Sequence, residues 1–325
     1  MKALVCDAYG SIDAVHYRDV PDPVPRRGEI LISVKAAGAV LTDVLFALGT
    51  YQVKPPLPFV LGSEIAGEIL AVGEGVTRFK VGDRVASLAI EFGAFAEKIV
   101  LPDWLPSPLP KNVPFEKGAV LMSSAATAQH ALRQRGALLA GETLVVTGAA
   151  GGTGSAAIQV GKAMGARVIA VCSSAERASF CLSLGADEAI DYSREDLKQA
   201  IKDRTGGQGA DVVFETVGGD IFDACSRAMA VEGRLLVVGF AAGRIPTLET
   251  NLPLVKVYAL IGVHWLTFVK RHPDQHAANM EELMAWVSSG AVSPAIDDVM
   301  PLENGADALR RLQNREVLGK LVLTP

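Results

Sequence analysis

The chain has 325 residues, of which 50% are hydrophobic and 21% are charged, and its formal net charge is -5 at pH 7. A chain of this length is longer than the chains that usually fold around a single hydrophobic core, so we expect two domains. The mildly negative charge argues against nucleic acid as a partner. No apolar run reaches the roughly 18 residues that a spanning helix needs, and the N-terminus lacks a signal-peptide pattern, so the sequence predicts no membrane association.

The four cysteines, Cys6, Cys172, Cys181 and Cys225, are scattered and form no CxxC pair. This spacing argues against a disulfide framework and against a cysteine-rich zinc lobe. Free cysteines are among the most buried residue types. We therefore expect four reduced and mostly buried thiols in a cytoplasmic protein.

The first 120 residues are rich in short β-type runs, such as residues 30–34, 65–72 and 95–100. Glycine and proline separate these runs at short intervals. Many short strands with frequent turn signals predict a small, barrel-like β domain.

The pattern changes near Gly118, where an alanine-rich stretch over residues 119–132 predicts a helix. Strand and helix then alternate. Strands are predicted at residues 143–147, 167–171, 188–191, 212–215, 234–238 and 257–263, and helices at 155–164, 175–184 and 194–205. This alternation indicates βαβ units and a parallel sheet covered on both faces, which is an α/β doubly wound fold. The tail mixes helices at 279–289 and 305–314 with a final strand at 320–323.

A glycine-rich turn follows the first strand of this second region. The apolar run Thr143 to Thr147 leads into Gly148-Ala-Ala-Gly-Gly-Thr-Gly154, and a helix follows. Glycines let backbone amides approach a pyrophosphate, and a helix N-terminus adds unpaired amides and partial positive charge. The spacing is GxxGxxG, but the strand–turn–helix context predicts a dinucleotide cradle. Its predicted contacts are Gly148, Ala150, Gly151, Gly152, Thr153 and Gly154.

The end of the next strand indicates which dinucleotide binds. An NAD site usually carries an acidic residue there to bond the ribose 2′-hydroxyl. Here the strand ends with Ala170-Val-Cys-Ser-Ser174 and has no acid. Ser173 can donate to a phosphate and Arg177 can pair with it, so NADP(H) is favoured. Glu176 nearby leaves the strictness of the preference open, and Arg177 as a solvated helix charge is the alternative.

Several segments resemble the medium-chain dehydrogenase/reductase superfamily. They are residues 55–67 (PPLPFVLGSEIAG), 81–85 (VGDRV), the turn at 148–154, Gly185-Ala-Asp187 and residues 319–323 (GKLVL). The chain is most similar to the zinc-independent quinone oxidoreductase branch, the zeta-crystallin-like enzymes. The similarity extends over nearly the whole chain.

The resemblance implies a GroES-like β-rich catalytic domain over residues 1–120 and 266–325, interrupted by a Rossmann NADP(H)-binding domain over residues 121–265. It also implies that the last Rossmann strand, near residues 257–263, pairs across a homodimer, since an exposed apolar edge needs cover. If the same chain covers that strand, a monomer is the alternative.

The resemblance also implies that zinc is absent. Zinc-binding relatives carry Cys in the segment matching residues 39–43, and His in a Gly-His-Glu matching Gly62-Ser-Glu64. Here Val40 and Ser63 stand in those places, and neither is an ordinary zinc ligand. Asp43 and Glu64 remain and are interpreted as structural or salt-bridged.

Catalytic and substrate residues follow from the resemblance. Tyr51 matches a tyrosine that lines the nicotinamide pocket, where it would hydrogen-bond the substrate carbonyl; a half-buried loop tyrosine is the alternative. Val40 replaces the family's usual Asn, and Ala125 stands where an aromatic residue is common. We therefore expect a more apolar and roomier pocket. His264 and Trp265 are placed in the substrate pocket, with a core role as the alternative for Trp265.

The remaining predicted cofactor contacts are transferred by position. They are Thr127, Tyr192, Val217, Gly239, Phe240, Ala241, Arg315 and Lys320. Val217 and residues 239–241 follow predicted strands, at the edge where ligands bind such sheets.

These features predict a zinc-independent, NADPH-dependent oxidoreductase that transfers hydride to a quinone or an α,β-unsaturated carbonyl. Whether quinone reduction takes one or two electrons stays open. An enoyl-thioester reductase is the first alternative. A non-enzymatic NADPH-binding structural or regulatory protein is the second, because Val40 cannot hydrogen-bond.

Overall fold

The computed structural model describes all residues, Met1–Pro325, and divides into two compact units. The first unit comprises Met1–Ser123 together with Ile296–Pro325, and the second comprises Ser124–Ala295. No helix in the chain combines the length and apolar character needed to cross a membrane.

The first unit consists mainly of strands. Its strands are β1 (Lys2–Cys6), β2 (Val15–Asp19), β3 (Glu29–Ala39), β4 (Phe59–Val60), β5 (Glu64–Val72), β6 (Arg84–Leu88), β7 (Lys98–Pro102), β8 (Ser107–Pro108), β15 (Ile296–Pro301) and β16 (Lys320–Thr324). Its helices are α1 (Leu41–Ala47), α2 (Phe115–Gly118) and α11 (Gly305–Gln313), with 3-10 turns at Ile12–Ala14 and Leu302–Asn304.

Two sheets form this unit. The larger has the order β15-β16-β3-β5-β6-β8, with β7 also pairing β3, and the smaller has the order β2-β1-β4. Burial alternates along the first part of β3, so that Ile30, Ile32 and Val34 lie in the core. Alternation of this kind is expected of antiparallel strands with one solvated face.

The second unit alternates strands and helices. Its strands are β9 (Thr143–Val146), β10 (Arg167–Cys172), β11 (Glu188–Asp191), β12 (Ala210–Glu215), β13 (Met229–Val237) and β14 (Ala259–Gly262). Its helices are α3 (Ala125–His130), continued by a π-helical turn at Ala131–Arg135, α4 (Gly152–Ala163), α5 (Ala175–Ser183), α6 (Leu197–Arg204), α7 (Gly219–Ser226), α8 (Asn251–Lys256), α9 (Trp265–Arg271) and α10 (Pro273–Ser289).

All six strands of this unit are parallel, in the order β11-β10-β9-β12-β13-β14. The order reverses between β9 and β12, which is the doubly wound Rossmann arrangement. Leu144, Val145 and Val146 on β9 are completely buried because the sheet is covered on both faces. Their carboxyl ends therefore lead directly into the region where such folds bind ligands.

The division into units differs from the predicted one at residues 266–295. The sequence placed this segment in the catalytic domain, but the compact second unit extends to Ala295. The reason is side-chain bonding between α10 and the α3 region: Gln134 Nε2 donates to Asn279 Oδ1 at 3.0 Å, and Arg133 pairs with Glu282. The chain returns to the first unit only at β15.

The predicted helix over residues 119–132 also begins later than expected. Residues 119–124 form turns, and α3 starts at Ala125. Ser123 provides a physical reason, because its backbone N–H donates to Glu64 Oε2 at 2.8 Å instead of to a helical carbonyl.

Candidate dinucleotide site and buried polar cluster

The glycine turn joins β9 to α4 at the carboxyl edge of the Rossmann sheet. Gly148 has φ +57°, and a Cβ there would lie 2.6 Å from Thr216 Oγ1. A Cβ on Gly154 would lie 2.3 Å from Gly148 O, so the first turn of α4 packs directly on the loop. A Cβ on Gly151 would meet only Gly148 O, at 3.4 Å. Two of the glycines are therefore required by close packing, and Gly151 leaves open space for a ligand.

A buried carboxylate organises the neighbouring loop after β12. Glu215 Oε1 accepts from the amides of Val217 and Gly218, both at 2.8 Å, and from Thr147 Oγ1 at 3.2 Å. Burial raises the pKa of Glu215, against the opposing effect of these three donors. Thr216 Oγ1 in turn donates to Thr147 O at 2.9 Å, so the ends of β9 and β12 are locked together.

The end of β10 lies beside the glycine turn. The amide of Ala149 donates to Val171 O at 3.3 Å, and the amide of Tyr192 donates to Cys172 O at 3.0 Å. Ser173 and Tyr192 are exposed, and Arg177 is partly buried in the first turn of α5. Ser174 caps that helix by accepting from the Arg177 amide at 3.3 Å. Ser173 and Tyr192 thus flank the same strand end, and Arg177 follows one turn later.

The loop after β13 adds the other predicted cofactor residues. The amide of Gly239 donates to Glu215 O at 3.3 Å, and that of Ala241 donates to Thr216 O at 3.0 Å. Phe240 is exposed, and a Cβ on Gly218 would lie 3.2 Å from its ring. Val217 and residues 239–241 therefore meet at one edge of the sheet. Thr127 lies on α3, which packs against α4.

His264 and Trp265 differ in their surroundings. His264 is exposed, and its Nδ1 lies 2.7 Å from Thr267 Oγ1. Trp265 is buried, with its ring edge-on to His276 at a centroid distance of 5.4 Å. This contact favours a packing role for Trp265, whereas the assignment of both residues to the substrate pocket stays a prediction.

In the first unit, a buried aspartate fixes the start of α1. Asp43 is completely buried; its Oδ1 accepts from Ser63 Oγ at 2.6 Å and its Oδ2 from the Val40 amide at 3.0 Å. Burial raises the pKa of Asp43 to about 7, against the opposing effect of the two hydrogen bonds. Val40 is therefore held as the residue that precedes α1, with its side chain partly buried.

Glu64 forms a second buried group of polar atoms in the same unit. Its Oε1 accepts from Lys320 Nζ at 2.6 Å and from Ser123 Oγ at 2.7 Å. Lys320 Nζ also donates to Ser123 Oγ at 2.9 Å. A Cβ on Gly38 would lie 2.6 Å from Glu64 Oε1, so β3 approaches the carboxylate closely. We call Asp43, Ser63, Glu64, Ser123 and Lys320 the buried polar cluster.

Of the other predicted catalytic and cofactor residues of the first unit, Lys320 belongs to this cluster, whereas Tyr51 and Arg315 lie outside it. Tyr51 follows α1 and is partly buried, and its ring meets Phe46 edge-on at a centroid distance of 4.6 Å. Arg315 is exposed and has φ +60° in the loop between α11 and β16. Lys320 is buried and bonded to Glu64, which favours a structural role for its ammonium group. Cofactor contacts by Arg315 and Lys320 stay predictions.

Comparison with known proteins identifies the family. Residues 26–111 match the alcohol dehydrogenase GroES-like domain, and residues 152–289 match the zinc-binding dehydrogenase family. A quinone oxidoreductase of Pseudomonas aeruginosa is 35% identical over 324 residues, covering 100% of this chain and 99% of the relative. The chain belongs to the medium-chain dehydrogenase/reductase superfamily. The family and the GroES-like plus Rossmann fold predicted from the sequence are confirmed, and the relatives place the chain in the quinone oxidoreductase branch.

Two solved structures of the superfamily are closely similar to this chain. Quinone oxidoreductase from Escherichia coli, complexed with NADPH, has a TM-score of 0.93 at 26% identity, with 100% of both chains covered. The CurK enoyl reductase has a TM-score of 0.88 at 28% identity, with 99% of this chain and 98% of that chain covered. Both relatives are oxidoreductases, and they differ in the acceptor that their names imply.

The two positions that the resemblance matches to zinc ligands of zinc-binding relatives hold Val40 and Ser63. Val40 has no ligand atom in its side chain, and the Ser63 hydroxyl donates to Asp43. Among residues 1–325, no group of three or more His, Cys, Asp or Glu side chains is arranged to hold a metal ion. Glu64 is salt-bridged to Lys320, which confirms the structural interpretation given to it from the sequence.

Sequence reasoning missed three features of this superfamily member. Glu215 was not recognised, although a lone acid at the end of the apolar run from Val212 to Phe214 is a usable signal. The partners of Glu64 were not recognised, because Lys320 lies 256 residues away along the chain. The proximity of Cys172 and Cys181 was also missed, since nine residues separate them across a strand–helix turn.

Proposed function

We propose that the protein is a zinc-independent, NADPH-dependent oxidoreductase that reduces a quinone or an α,β-unsaturated carbonyl. The observation that carries the proposal is the carboxyl edge of the Rossmann sheet, where the glycine turn and the acid-free end of β10 are joined by the hydrogen bond from the Ala149 amide to Val171 O. The experiment is incubation of the purified chain with NADPH and 1,4-benzoquinone, 9,10-phenanthrenequinone or an enone. Failure of every acceptor to lower the NADPH absorbance would contradict it.

The residues present fit a dinucleotide. The open space at Gly151 and the N-terminus of α4 suit a pyrophosphate, since helix N-termini carry unpaired amides and partial positive charge. Ala150, Gly152, Thr153 and Gly154 complete that cradle. Thr127, Val217 and residues 239–241 are proposed to border the same site, and Arg315 and Lys320 are proposed as further cofactor contacts.

Ser173, Arg177 and Tyr192 are proposed to select NADPH over NADH. Losing one charge-assisted hydrogen bond lowers affinity by about tenfold or more. We therefore expect Arg177→Ala to weaken NADPH binding by about tenfold and to leave NADH binding nearly unchanged. The exposed Lys270 on α9 offers a matched control, because Lys270→Ala removes a charge that is far along the chain from Ser173, Arg177 and Tyr192. Equal loss for both dinucleotides would contradict the selection.

When bound, NADPH would supply the hydride, and the protein would supply position and polarity. Tyr51 is proposed to donate a hydrogen bond to the acceptor carbonyl, because a donor at a developing oxyanion stabilises the transition state. The Val40 side chain would make the part of the pocket wall that it forms apolar. Tyr51→Phe should lower kcat by about tenfold or more with little change in NADPH affinity. Tyr17→Phe, on β2, is the matched control.

The buried polar cluster supports zinc independence. Lys320 places a cation beside Glu64, and Ser63 satisfies one oxygen of Asp43. Metal analysis of the active protein and assay after chelator treatment test the proposal. We expect less than stoichiometric zinc and full activity after removal of metal. Loss of activity that zinc restores would contradict it.

An enoyl-thioester reductase is the second candidate, supported by the similarity to the CurK enoyl reductase. Crotonyl-CoA with NADPH separates the two, because only the enoyl reductase should use the thioester faster than quinones. Tight NADPH binding without turnover of any acceptor would instead favour a non-enzymatic role.

The edge strand β14 supports the proposal of a homodimer. Strand β14 pairs only with β13, and Leu260 on it is 45% exposed. Leu254 and Val255 on the adjacent α8 are 78% and 74% exposed. Bare apolar edges of this kind favour pairing with another chain. Light scattering should give twice the chain mass, and Leu260→Lys should shift the protein toward monomer.

We also propose a cytoplasmic location, which fractionation of the source cells tests.

A further inference from the structure

Cys172 and Cys181 form a close pair of thiols in the second unit. Their Sγ atoms are 3.4 Å apart, and both residues are buried. Cys172 is the last residue of β10, and Cys181 lies on α5. The other two cysteines lie elsewhere: Cys6 donates to Ala8 O at 3.3 Å, and Cys225 is completely buried on α7. The pair is therefore a distinct local feature.

The two thiols differ in acidity. The hydrogen bond between the two thiols, and to a smaller extent the charge of Arg177, lower the pKa of Cys172 despite its burial. The same contact and burial raise the pKa of Cys181. The thiolate is the nucleophilic form of cysteine. Cys172 is therefore the residue suited to attack an oxidant, and Cys181 is suited to donate a proton and react second.

We propose that Cys172 and Cys181 form a redox-active dithiol that a hydroperoxide oxidises to an intramolecular disulfide. In the first step the Cys172 sulfur attacks a peroxide oxygen, the O–O bond breaks, and the leaving oxygen departs as water or alcohol. In the second step the Cys181 sulfur attacks the sulfenic sulfur of Cys172, the S–O bond breaks, and water leaves. The two thiols lose two electrons and two protons, and the peroxide is reduced.

The geometry requires little movement. A disulfide has an S–S distance of about 2.05 Å, so the sulfurs at 3.4 Å need to approach by about 1.3 Å. Because Cys172 ends β10 and Cys181 lies on α5, the disulfide would tie this helix to that strand end. Ser173, Ser174 and Arg177 lie between the two cysteines in sequence, and Ser174 caps α5. Oxidation would therefore displace the residues proposed to hold the 2′-phosphate, a consequence that rests on the proposed function.

The first test measures the disulfide itself in the full chain. The protein is treated with hydrogen peroxide, and free thiols are counted and linked peptides mapped by mass spectrometry. We expect the loss of two thiols and a single cross-link between Cys172 and Cys181. Cys181→Ser should instead leave a sulfenic acid on Cys172 that dimedone traps. Cys6→Ser and Cys225→Ser should form the same cross-link as the unchanged chain. Retention of all four thiols, or a cross-link to Cys6 or Cys225, overturns the proposal.

The second test measures the link to the cofactor. NADPH affinity of the reduced and oxidised protein is compared by fluorescence titration, with reversal by dithiothreitol. We expect the oxidised protein to bind about tenfold more weakly, the effect of losing one charge-assisted hydrogen bond, and Cys181→Ser to keep its affinity after peroxide. Equal affinity of both forms overturns the link but leaves the disulfide standing. Absence of NADPH binding by the reduced protein refutes the proposed function instead, and the cross-link result is independent of it.

Discussion

Glu64 in the first unit and Glu215 in the second are both completely buried carboxylates at a strand end, and they are held in different ways. Glu64 is bonded to an ammonium group, a hydroxyl and one amide, from Lys320 and Ser123. Glu215 receives two amides and a hydroxyl on Oε1, whereas its Oε2 has no hydrogen-bond partner. The Glu64 carboxylate is part of an ion pair, whereas the Glu215 carboxylate accepts hydrogen bonds from the backbone amides of a loop.

This difference corresponds to different structural roles of Glu64 and Glu215. An isolated buried charge is very costly, so Glu64 requires its cation. Glu215 has no cation among its hydrogen-bond partners, burial raises its pKa from the ordinary value, and its Oε2 has no hydrogen-bond partner. Glu64 thus acts as an anion that joins distant segments, and Glu215 acts as an acceptor that shapes a loop beside the proposed cofactor site.

The largest effect is expected from Lys320→Met, which leaves Glu64 buried without a cation. Removing one partner of a buried pair costs about 3–5 kcal/mol. Urea unfolding followed by circular dichroism measures the loss. The double variant Lys320→Met with Glu64→Gln should recover much of it, because no charge then remains. Equal instability of the single and double variants would show that shape, not charge, matters at this position.

Glu215→Ala should cost about 2–3 kcal/mol, because it leaves buried amides of Val217 and Gly218 without an acceptor. Glu215→Gln keeps an acceptor oxygen and should cost less than about 1 kcal/mol. The same unfolding experiment compares the two variants. If Glu215→Gln proves as damaging as Glu215→Ala, the negative charge is essential and the contrast with Glu64 fails.

The pH dependence of stability should separate Asp43 from exposed acids. Its folded pKa of about 7 lies above the ordinary 3.8, so the unfolded chain ionises first as pH rises. The stability that Asp43 contributes is complete below the unfolded value and falls between the two pKa values by at most about 1.4 kcal/mol per pH unit. Unfolding at several pH values should show this slope in the unchanged chain but not in Asp43→Asn. Asp203→Asn, at an exposed position on α6, should keep the slope.

The smallest effect is expected from Ser123→Ala. It removes the hydroxyl between Glu64 and Lys320 but keeps the ion pair and the backbone amide bond, so the cost should be about 1 kcal/mol. Ser183→Ala, at an exposed hydroxyl on α5, should change stability by less than about 0.5 kcal/mol. A loss of the size expected for Lys320→Met would mean that the hydroxyl is as important as the cation.

Local patterns in the sequence were sufficient to predict the parallel sheet of the Rossmann unit. Apolar runs such as Leu144 to Val146 and Val212 to Phe214 alternate with helical segments, and this period alone determines a parallel sheet. The glycine turn was predicted from its glycine spacing between an apolar strand and a helix, and the structure shows that a Cβ at Gly148 or Gly154 has no space. The strand β11 was predicted with the bounds that the structure has, Glu188–Asp191.

Contacts between residues that are far apart along the chain could not be predicted from the sequence. No periodicity relates Lys320 to Glu64 or Gln134 to Asn279, so neither the buried polar cluster nor the extension of the second unit to Ala295 could be predicted. The contact between Trp265 and His276 could not be predicted either, because only the folded helices bring the two rings together. The start of α3 was missed because a tertiary bond to Ser123 overrides the local helix propensity.

Strand β16 lies between β15 and β3 in the main sheet of the first unit, although it is the last element of the chain. During synthesis, all of the second unit, which ends at Ala295, is made before β16 begins at Lys320. The first unit lacks an interior strand until then, and Glu64 lacks its cation. Since domains fold as they emerge and non-local pairings form slowly, the first part of the chain to be made is the last to be finished. A stop codon in place of Lys320 would therefore be expected to disrupt far more structure than strand β16 itself.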